Sequence, residues 1–291
     1  MPSPPPQSPA LRALVAALGV WSRFDRAVGK SMNAVRTTAG GIFSTALTMP
    51  EMDAVTVDLY KGQTAQYGHL AGLHDWERDW YAAELPAAPA RVLVGAAGAG
   101  REVAGLLEQG YTVDAFEPTP TMAGACARVP AVGVVVTAGF DEFCAAVLDD
   151  RTTAATPLAA NRYDAVVIGW GGLHHVVADQ ARDRLLRACC RLAPDGPVLA
   201  SFHTKGAWLR AEAASRGRRL GARLGRRIAR ARGIGEPPDG VHFTWRIGFE
   251  RPLDRDAVER LAQAIGRDVR YSESLYGCAV FLPPAAPPAP A

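Results

Sequence analysis

Two groups of residues in this 291-residue chain have the types and spacing that chemistry needs. The first is a turn of small residues, Gly95-Ala96-Ala97-Gly98-Ala99-Gly100, followed by an acid, Glu117, that lies 117 − 98 = 19 residues beyond Gly98. Small residues let a backbone approach a ligand closely, and a helix opening behind them offers free N–H groups. A carboxylate at that distance, on the tip of a second strand, is placed to grip both hydroxyls of a ribose. Together these features point to an adenosine-like cofactor. The second group is the six histidines, His69, His74, His174, His175, His203 and His242. Imidazole suits proton transfer near neutral pH. His174 and His175 lead as general-base candidates because they follow Gly171-Gly172, with His203 behind them. Adjacent residues point in different directions, so His174 is expected to face a substrate and His175 to pack.

The elements that would position these groups form an alternating α/β pattern. Val92-Leu93-Val94 reads as a buried strand, the small residues as a turn, and Val103, Leu106 and Leu107 as one face of a helix. Thr112–Phe116 is the second strand and ends on Glu117. Residues 132–136 read as a third strand and Tyr163–Ile168 as a fourth, with a loop over 150–162 between them. The fourth runs into Gly169-Trp170-Gly171-Gly172, and a helix follows over Val176–Leu192. Residues 198–202 are a fifth strand. A helix over Asp254–Ile265, with Asp254 as its N-cap, and a hairpin of 268–274 with 275–282 complete the pattern.

The stretch Arg91–Met122 resembles motif I and its acidic partner in the class I S-adenosylmethionine-dependent methyltransferases of the small-molecule type. Gly98 and Gly100 match the last two glycines of that motif and Glu117 its ribose-binding acid. Val94 stands where the family usually has an acid, and Ala96 where it has the first glycine. The fourth strand's end resembles motif IV, without the paired prolines of N6-adenine enzymes. Pro194 and Gly196 match the turn into strand five. The resemblance implies a doubly wound, seven-stranded, mostly parallel sheet with an antiparallel last strand, an N-terminal helical lid, and S-adenosylmethionine as cofactor. It also implies cofactor contacts beyond the glycine turn: Glu117 and Pro118 after strand two, Met122 on the adenine ring, and Gly139, Phe140 and Asp141 after strand three. Gly169 and Trp170 after strand four and Tyr67 in the lid complete the expected set.

Residues 1–50 read as a proline-rich tail and helical extension, with an amphipathic stretch over Leu11–Phe24. The lid spans 51–88 and is rich in aromatic residues, Tyr60, Tyr67, Trp76 and Trp80 among them; the tryptophans are expected to pack a helix on the sheet. The core spans 89–203. Residues 204–252 are an insertion after strand five, a basic cap over the carboxyl edge, and 253–282 return to the core before a disordered tail over 283–291. Within the cap, residues 210–232 hold nine arginines against one acid, a local charge of +8 in a chain of net +3. Leu220, Leu224 and Ile228 form an apolar stripe there beside a smooth one of Gly217, Gly221 and Gly225. Val241–Glu250 alternates apolar and polar residues strictly, as a half-buried strand does.

Arginine outnumbers lysine 32 − 3 = 29 to 3, a bias of GC-rich bacterial coding. The five cysteines have no metal-ligand spacing, so no metal site is expected and a reduced, cytoplasmic protein is. No stretch is apolar enough to span a membrane. The basic charge is one local stretch with no RNA-binding module, which argues against nucleic acid. The resulting expectation is methyl transfer from S-adenosylmethionine to an O or N atom of a small molecule in bacterial specialised metabolism. An anionic substrate and a homodimer stay open. So do an NAD(P)-dependent oxidoreductase on a similar fold, and a methyltransferase-like subunit without turnover.

Overall fold

The computed structural model describes residues 29, 31–64, 72–206, 215–273 and 275–284. Tyr67, His69, the stretch 11–24 and most of both proline-rich ends lie outside them. The organising element is a seven-stranded sheet of order β3-β2-β1-β4-β5-β9-β8. Its strands are β1 Arg91–Gly95, β2 Thr112–Glu117, β3 Val135–Thr137, β4 Ala165–Ile168, β5 Val198–Phe202, β8 Asp268–Glu273 and β9 Gly277–Leu282. The first five run parallel, while β9 is antiparallel to both β5 and β8. This is the doubly wound arrangement expected of the sequence. β3 is shorter than the expected strand because the side chain of Asp114 takes the N–H of Val134.

Strand residues alternate between two apolar layers, as the pleat requires. Val92 and Val94 join Val113, Ala115 and Val167 on one face. Helix α3 (Asp75–Glu84) covers that face with Trp80 and Tyr81, and α4 (Arg101–Glu108) with Val103 and Leu106. Leu93 joins Phe116, Val166 and Ile168 on the other. There the cover is α6 (Phe140–Leu148), α9 (Asp179–Leu192) and α11 (Arg255–Ile265). All five cysteines are free, four of them buried. Asp254 caps α11 by accepting the N–H of Ala257 at 3.0 Å. Between α4 and α6 the short helix α5 (Pro120–Cys126) follows β2, and α7 (Thr156–Ala159) occupies the expected loop after α6. The helix expected over Val176–Leu192 is α9, which starts at Asp179, and a separate short helix, α8 (Gly172–His175), precedes it.

A third, smaller core ties the N-terminal helices to the segment that follows β5. Residues 31–46 form α1 and Met49–Lys61 form α2. Thr48 and Glu51 make a capping box at the start of α2, which fixes the turn between the two helices. Met52 packs with Phe243, Phe249, Val241 and Val177. The expected single strand over 241–250 is instead a hairpin, β6 (His242–Thr244) against β7 (Gly248–Glu250). A turn at 245–247 folds it back, so the period-two pattern does not separate inside from outside. His242 and Glu250 face each other across the hairpin, and both are buried with Phe243 and Phe249.

The arginine-rich segment is helix α10 (Arg216–Ala231). Its glycine stripe packs directly on α1: a Cβ on Gly221 would fall 2.0 Å from the carbonyl oxygen of Thr38, and one on Gly225 2.7 Å from that of Ile42. The arginine within the stripe, Arg218, is buried and donates to Val241 O at 2.6 Å. Leu220, Leu224 and Ile228 remain exposed. Among the described residues no helix is long and apolar enough to cross a membrane.

Backbone atoms cannot yield as a flexible side chain can, so Gly221→Val should cost about 1–3 kcal/mol of stability. Leu220→Ser, on the exposed stripe, should stay within about 0.5 kcal/mol. Thermal unfolding of the two variants checks this; equal melting temperatures would show that the α1–α10 contact is not tight.

Candidate active site

A cavity of about 600 Å³ opens at the carboxyl edge of the parallel strands, within the range of small-molecule sites. Its floor is the turn Ala96–Ala99, and one wall is Glu117, Pro118, Thr119 and Met122. A second wall is Gly139–Glu142 at the start of α6, and a third holds Trp170, His174, His175 and His203. Helix α2 forms the roof with Met49, Asp53, Thr56, Val57 and Tyr60, and Ile247 reaches in from the β6–β7 turn.

The floor keeps the backbone shape that glycines favour even where glycine is missing. Ala96, at the position of the absent first glycine, has φ +54°, and Gly98 and Gly100 have φ +56° and +92°. An alanine in that region carries a strain of roughly 1–2 kcal/mol. A Cβ on Gly98 would meet nothing within 4 Å, so this residue faces open space. Glu117 is 5% exposed. Its Oε2 accepts the N–H of Gly98 at 2.9 Å and its Oε1 that of Thr119 at 2.8 Å. Burial pushes its carboxyl up, and those two N–H groups pull it back. Each oxygen keeps a second lone pair for a ligand hydroxyl.

The three histidines are distinguished by what their nitrogens already hold. His175 Nδ1 lies 2.8 Å from Phe249 O, so it carries the proton; Nε2, 3.1 Å from Tyr60 Oη, then accepts the tyrosine proton. Both nitrogens are engaged. His174 is 2% exposed, and its Nδ1 accepts the N–H of His203 at 3.1 Å. Burial first, then the neighbouring His175, His203 and Arg182, hold its pKa well below the ordinary value, and burial lowers that of His175. His174 is therefore the more enclosed of the adjacent pair, the reverse of the expectation, because α8 turns it back under β5. His203 is the least committed. Its Nδ1 donates to Glu250 Oε2 at 2.5 Å, and its ring lies between His174, centroids 4.1 Å apart, and Tyr276, 5.4 Å apart. The proton on Nδ1 leaves the Nε2 lone pair as the ring's acceptor.

Ligand atoms of His174, His203 and Glu250 lie within 4.8 Å of one another, a grouping that can hold a metal ion. The donor set argues otherwise. A ring that accepts at Nδ1 bears its proton on Nε2, the atom 3.7 Å from Glu250 Oε2. A ligating imidazole needs the opposite arrangement, donating from one nitrogen and offering the other to the metal. The cluster fits a proton-transfer pair better than a metal centre.

Of the residues singled out from the sequence, the cavity brings together Gly98, Glu117, Pro118, Met122, Gly139, Phe140, Asp141, Trp170, His174, His175 and His203. Gly100 and Gly169 do not reach its wall. A Cβ on Gly100 would strike Val129 and Cys126, and one on Gly169 the carboxylate of Glu102. Tyr67 lies outside the described residues; Tyr60, on α2, lines the cavity. No arginine of α10 lines it. Sequence reasoning missed Glu250, which alternation had assigned to a solvated face, and Arg101 and Glu102, which it did not single out.

Ala96→Gly should relieve the left-handed strain and raise stability by up to about 1 kcal/mol, or roughly 2–4 °C in Tm. A drop in Tm on calorimetry would contradict the turn geometry.

No family model matches the chain, and no curated protein matches it either. Solved structures do. One, from Rhodobacter sphaeroides and described as a Zn-dependent alcohol dehydrogenase, has a TM-score of 0.52 at 15% identity, covering 78% of this chain and 97% of that one. Another is the 1,6-didemethyltoxoflavin N1-methyltransferase of Burkholderia thailandensis, solved with 1,6-didemethyltoxoflavin and S-adenosylhomocysteine. It has a TM-score of 0.50 at 18% identity, covering 81% of this chain and 89% of that one. Likeness at such identities speaks for the fold, and one fold hosts many activities. The chain has a Rossmann-like fold, a doubly wound and mostly parallel seven-stranded sheet with an antiparallel strand near its end.

Proposed function

We propose that the protein transfers a methyl group from S-adenosylmethionine to an oxygen or nitrogen atom of a small molecule. The observation that carries this reading is one cavity lined both by Gly98 and Glu117, bonded to each other, and by His203, whose Nδ1 is held by the buried Glu250 behind the wall. S-adenosylmethionine would supply a methyl made electrophilic by its sulfonium. Glu117 suits the ribose hydroxyls, the turn at 96–99 leaves room for close backbone approach, and Met122 and Phe140 offer apolar contact to a base.

The chain's own residues would then orient the acceptor and take its proton. Bringing acceptor and methyl into line is the larger effect, worth roughly 7–11 kcal/mol at best. His203 Nε2 receives the proton of an O–H or N–H acceptor. The imidazolium formed is stabilised by Glu250, which is 0% exposed and already bonded to Nδ1. Tyr60 of the roof and His175 of the same wall bond to each other beside it. Met49, Val57, Val176, Val177 and Ile247 line the rest, which favours an uncharged acceptor. Among the described residues the two guanidinium groups at the cavity are paired, Arg184 with Asp149 and Arg101 with Glu77, and neither is offered to an anionic acceptor. A bacterial biosynthetic role and a cytoplasmic location fit this reading.

A ribose-gripping acid also suits NAD(P), so the first test is thermal unfolding with S-adenosylhomocysteine and with NAD(H). A rise in Tm with the former alone is expected; a rise with NAD(H) alone would favour the oxidoreductase. Glu117→Ala should weaken S-adenosylhomocysteine by about 1.5–3 kcal/mol in calorimetry, and unchanged affinity would contradict the ribose assignment. For an acceptor found by screening, His203→Ala should lower kcat about 10²–10⁴-fold with cofactor affinity kept. His174→Ala and His175→Ala should cost less, and the reverse ranking would move the base to α8. An absence of turnover with every acceptor class would point to the methyltransferase-like subunit.

A further inference from the structure

Glu102 is a carboxylate sealed at the cavity, and the proton-transfer account does not use it. It is the second residue of α4 and 4% exposed, and it lines the cavity with Arg101. Tyr81 Oη donates to its Oε1, and the backbone N–H of Trp170 donates to it as well. The carboxylate lies directly under Gly169, where a Cβ would come within 2.1 Å of Oε1 and 2.3 Å of Oε2. Gly169 is thus a glycine that makes room for Glu102.

The nearest cation is engaged elsewhere. Arg101 holds both oxygens of Glu77, at 2.5 and 2.6 Å, and the carbonyl of Gly72 at 3.0 Å. Its guanidinium also sits over the Trp170 ring, 4.6 Å from the centroid. Glu102 is left beside a second buried acid, Glu77. Burial first and then Glu77 push its carboxyl up to about 7, against the pull of Arg101, Tyr81 and the Trp170 N–H. A buried acid in that condition gains from a further cation.

Its place in the sheet says which cation. Glu117 ends β2 on one side of β1, and Glu102 lies against the end of β4 on the other. The turn 96–99 runs between them. A cofactor lying across that turn with its ribose on Glu117 directs its other end toward β4. The amino-acid end of S-adenosylmethionine carries an ammonium, and the usual acid at the end of β1 is here Val94, which is fully buried in the apolar layer.

We propose that Glu102 binds the α-ammonium of the cofactor's amino-acid end, taking over from the acid missing at Val94. This rests on the methyltransferase reading above. Glu102 is a positioning residue for the cofactor and takes no part in moving the acceptor's proton.

The test is calorimetry with two probes, S-adenosylhomocysteine and 5′-methylthioadenosine, which lacks the amino-acid end. In Glu102→Gln the first should weaken about 10- to 100-fold, the loss of a hydrogen-bonded charge, and the second should keep its affinity. Equal affinity for both probes before and after the substitution overturns the proposal, and so does an equal loss of both. If the wild-type protein binds neither probe, the methyltransferase reading fails and takes this inference with it. Where Glu102→Gln does not fold, the wild-type protein serves. The carboxyl must lose its proton to hold an ammonium, so the preference for S-adenosylhomocysteine over 5′-methylthioadenosine should grow as pH rises from 5.5 through about 7. Tyr81, Glu77 and Arg101 are the titratable groups facing Glu102, and Tyr81 is held protonated by burial. A preference that does not change with pH would overturn the proposal.

Discussion

The buried carboxylate of Glu250 is the constraint to which the site's geometry answers. Taking a carboxylate out of water is expensive unless hydrogen-bonded partners compensate it. Glu250 is 0% exposed, and its compensation comes from His203 Nδ1 at 2.5 Å, with His174 Nε2 at 3.7 Å. One charge therefore ties the β6–β7 hairpin of the insertion to the end of β5 and to α8. The same contact fixes the tautomer of His203 and so the direction of its free lone pair. The N–H of His203, turned onto His174 Nδ1, fixes the second ring in turn. A change at Glu250 would loosen all three elements at once, which is why a hairpin remote in sequence belongs to the chemistry.

The rest of the molecule converges on that edge. Parallel strands bring their carboxyl ends to one side, and the order reverses at β1, which places β2 and β4 on either side of the glycine turn. Such a reversal opens a crevice in which ligands bind. Helix α2 roofs the crevice, and the small third core around Met52 and Phe249 holds it there. Helix α10 stands outside this arrangement. Its glycines lie flat on α1, Arg218 reaches Ser44 Oγ of α1 and Val241 O, and Arg232 just beyond the helix reaches Ala46 O.

How much of this could be read from the chain depended on whether the signal was local. The strands around Val92–Val94, Thr112–Phe116 and Tyr163–Ile168 announced themselves because strands buried on both faces are continuous apolar runs. Glu117 was found because its distance from Gly98 is set by one strand–helix–strand unit. The hairpin at 241–250 was misread because both of its faces are covered, one by α2 and the other by the histidines. Alternation reports burial only when one face meets water. The ranking of His174 and His203 could not be had from spacing, since it turns on which nitrogen each backbone N–H and carboxylate engages. Glu102 hides for a similar reason: a first-turn glutamate is normally a solvated cap, and only the bare Cα of Gly169 above it reveals the buried use.

The most direct measurement of the central claim is a crystal structure of the protein with S-adenosylhomocysteine. The account requires the ribose hydroxyls within hydrogen-bond distance of Glu117 and the sulfur turned toward the side of the cavity where His203 Nε2 lies. The His203–Glu250 contact should be unbroken. A ligand bound with its sulfur turned away from His203, or seated away from the turn at 96–99, would contradict it.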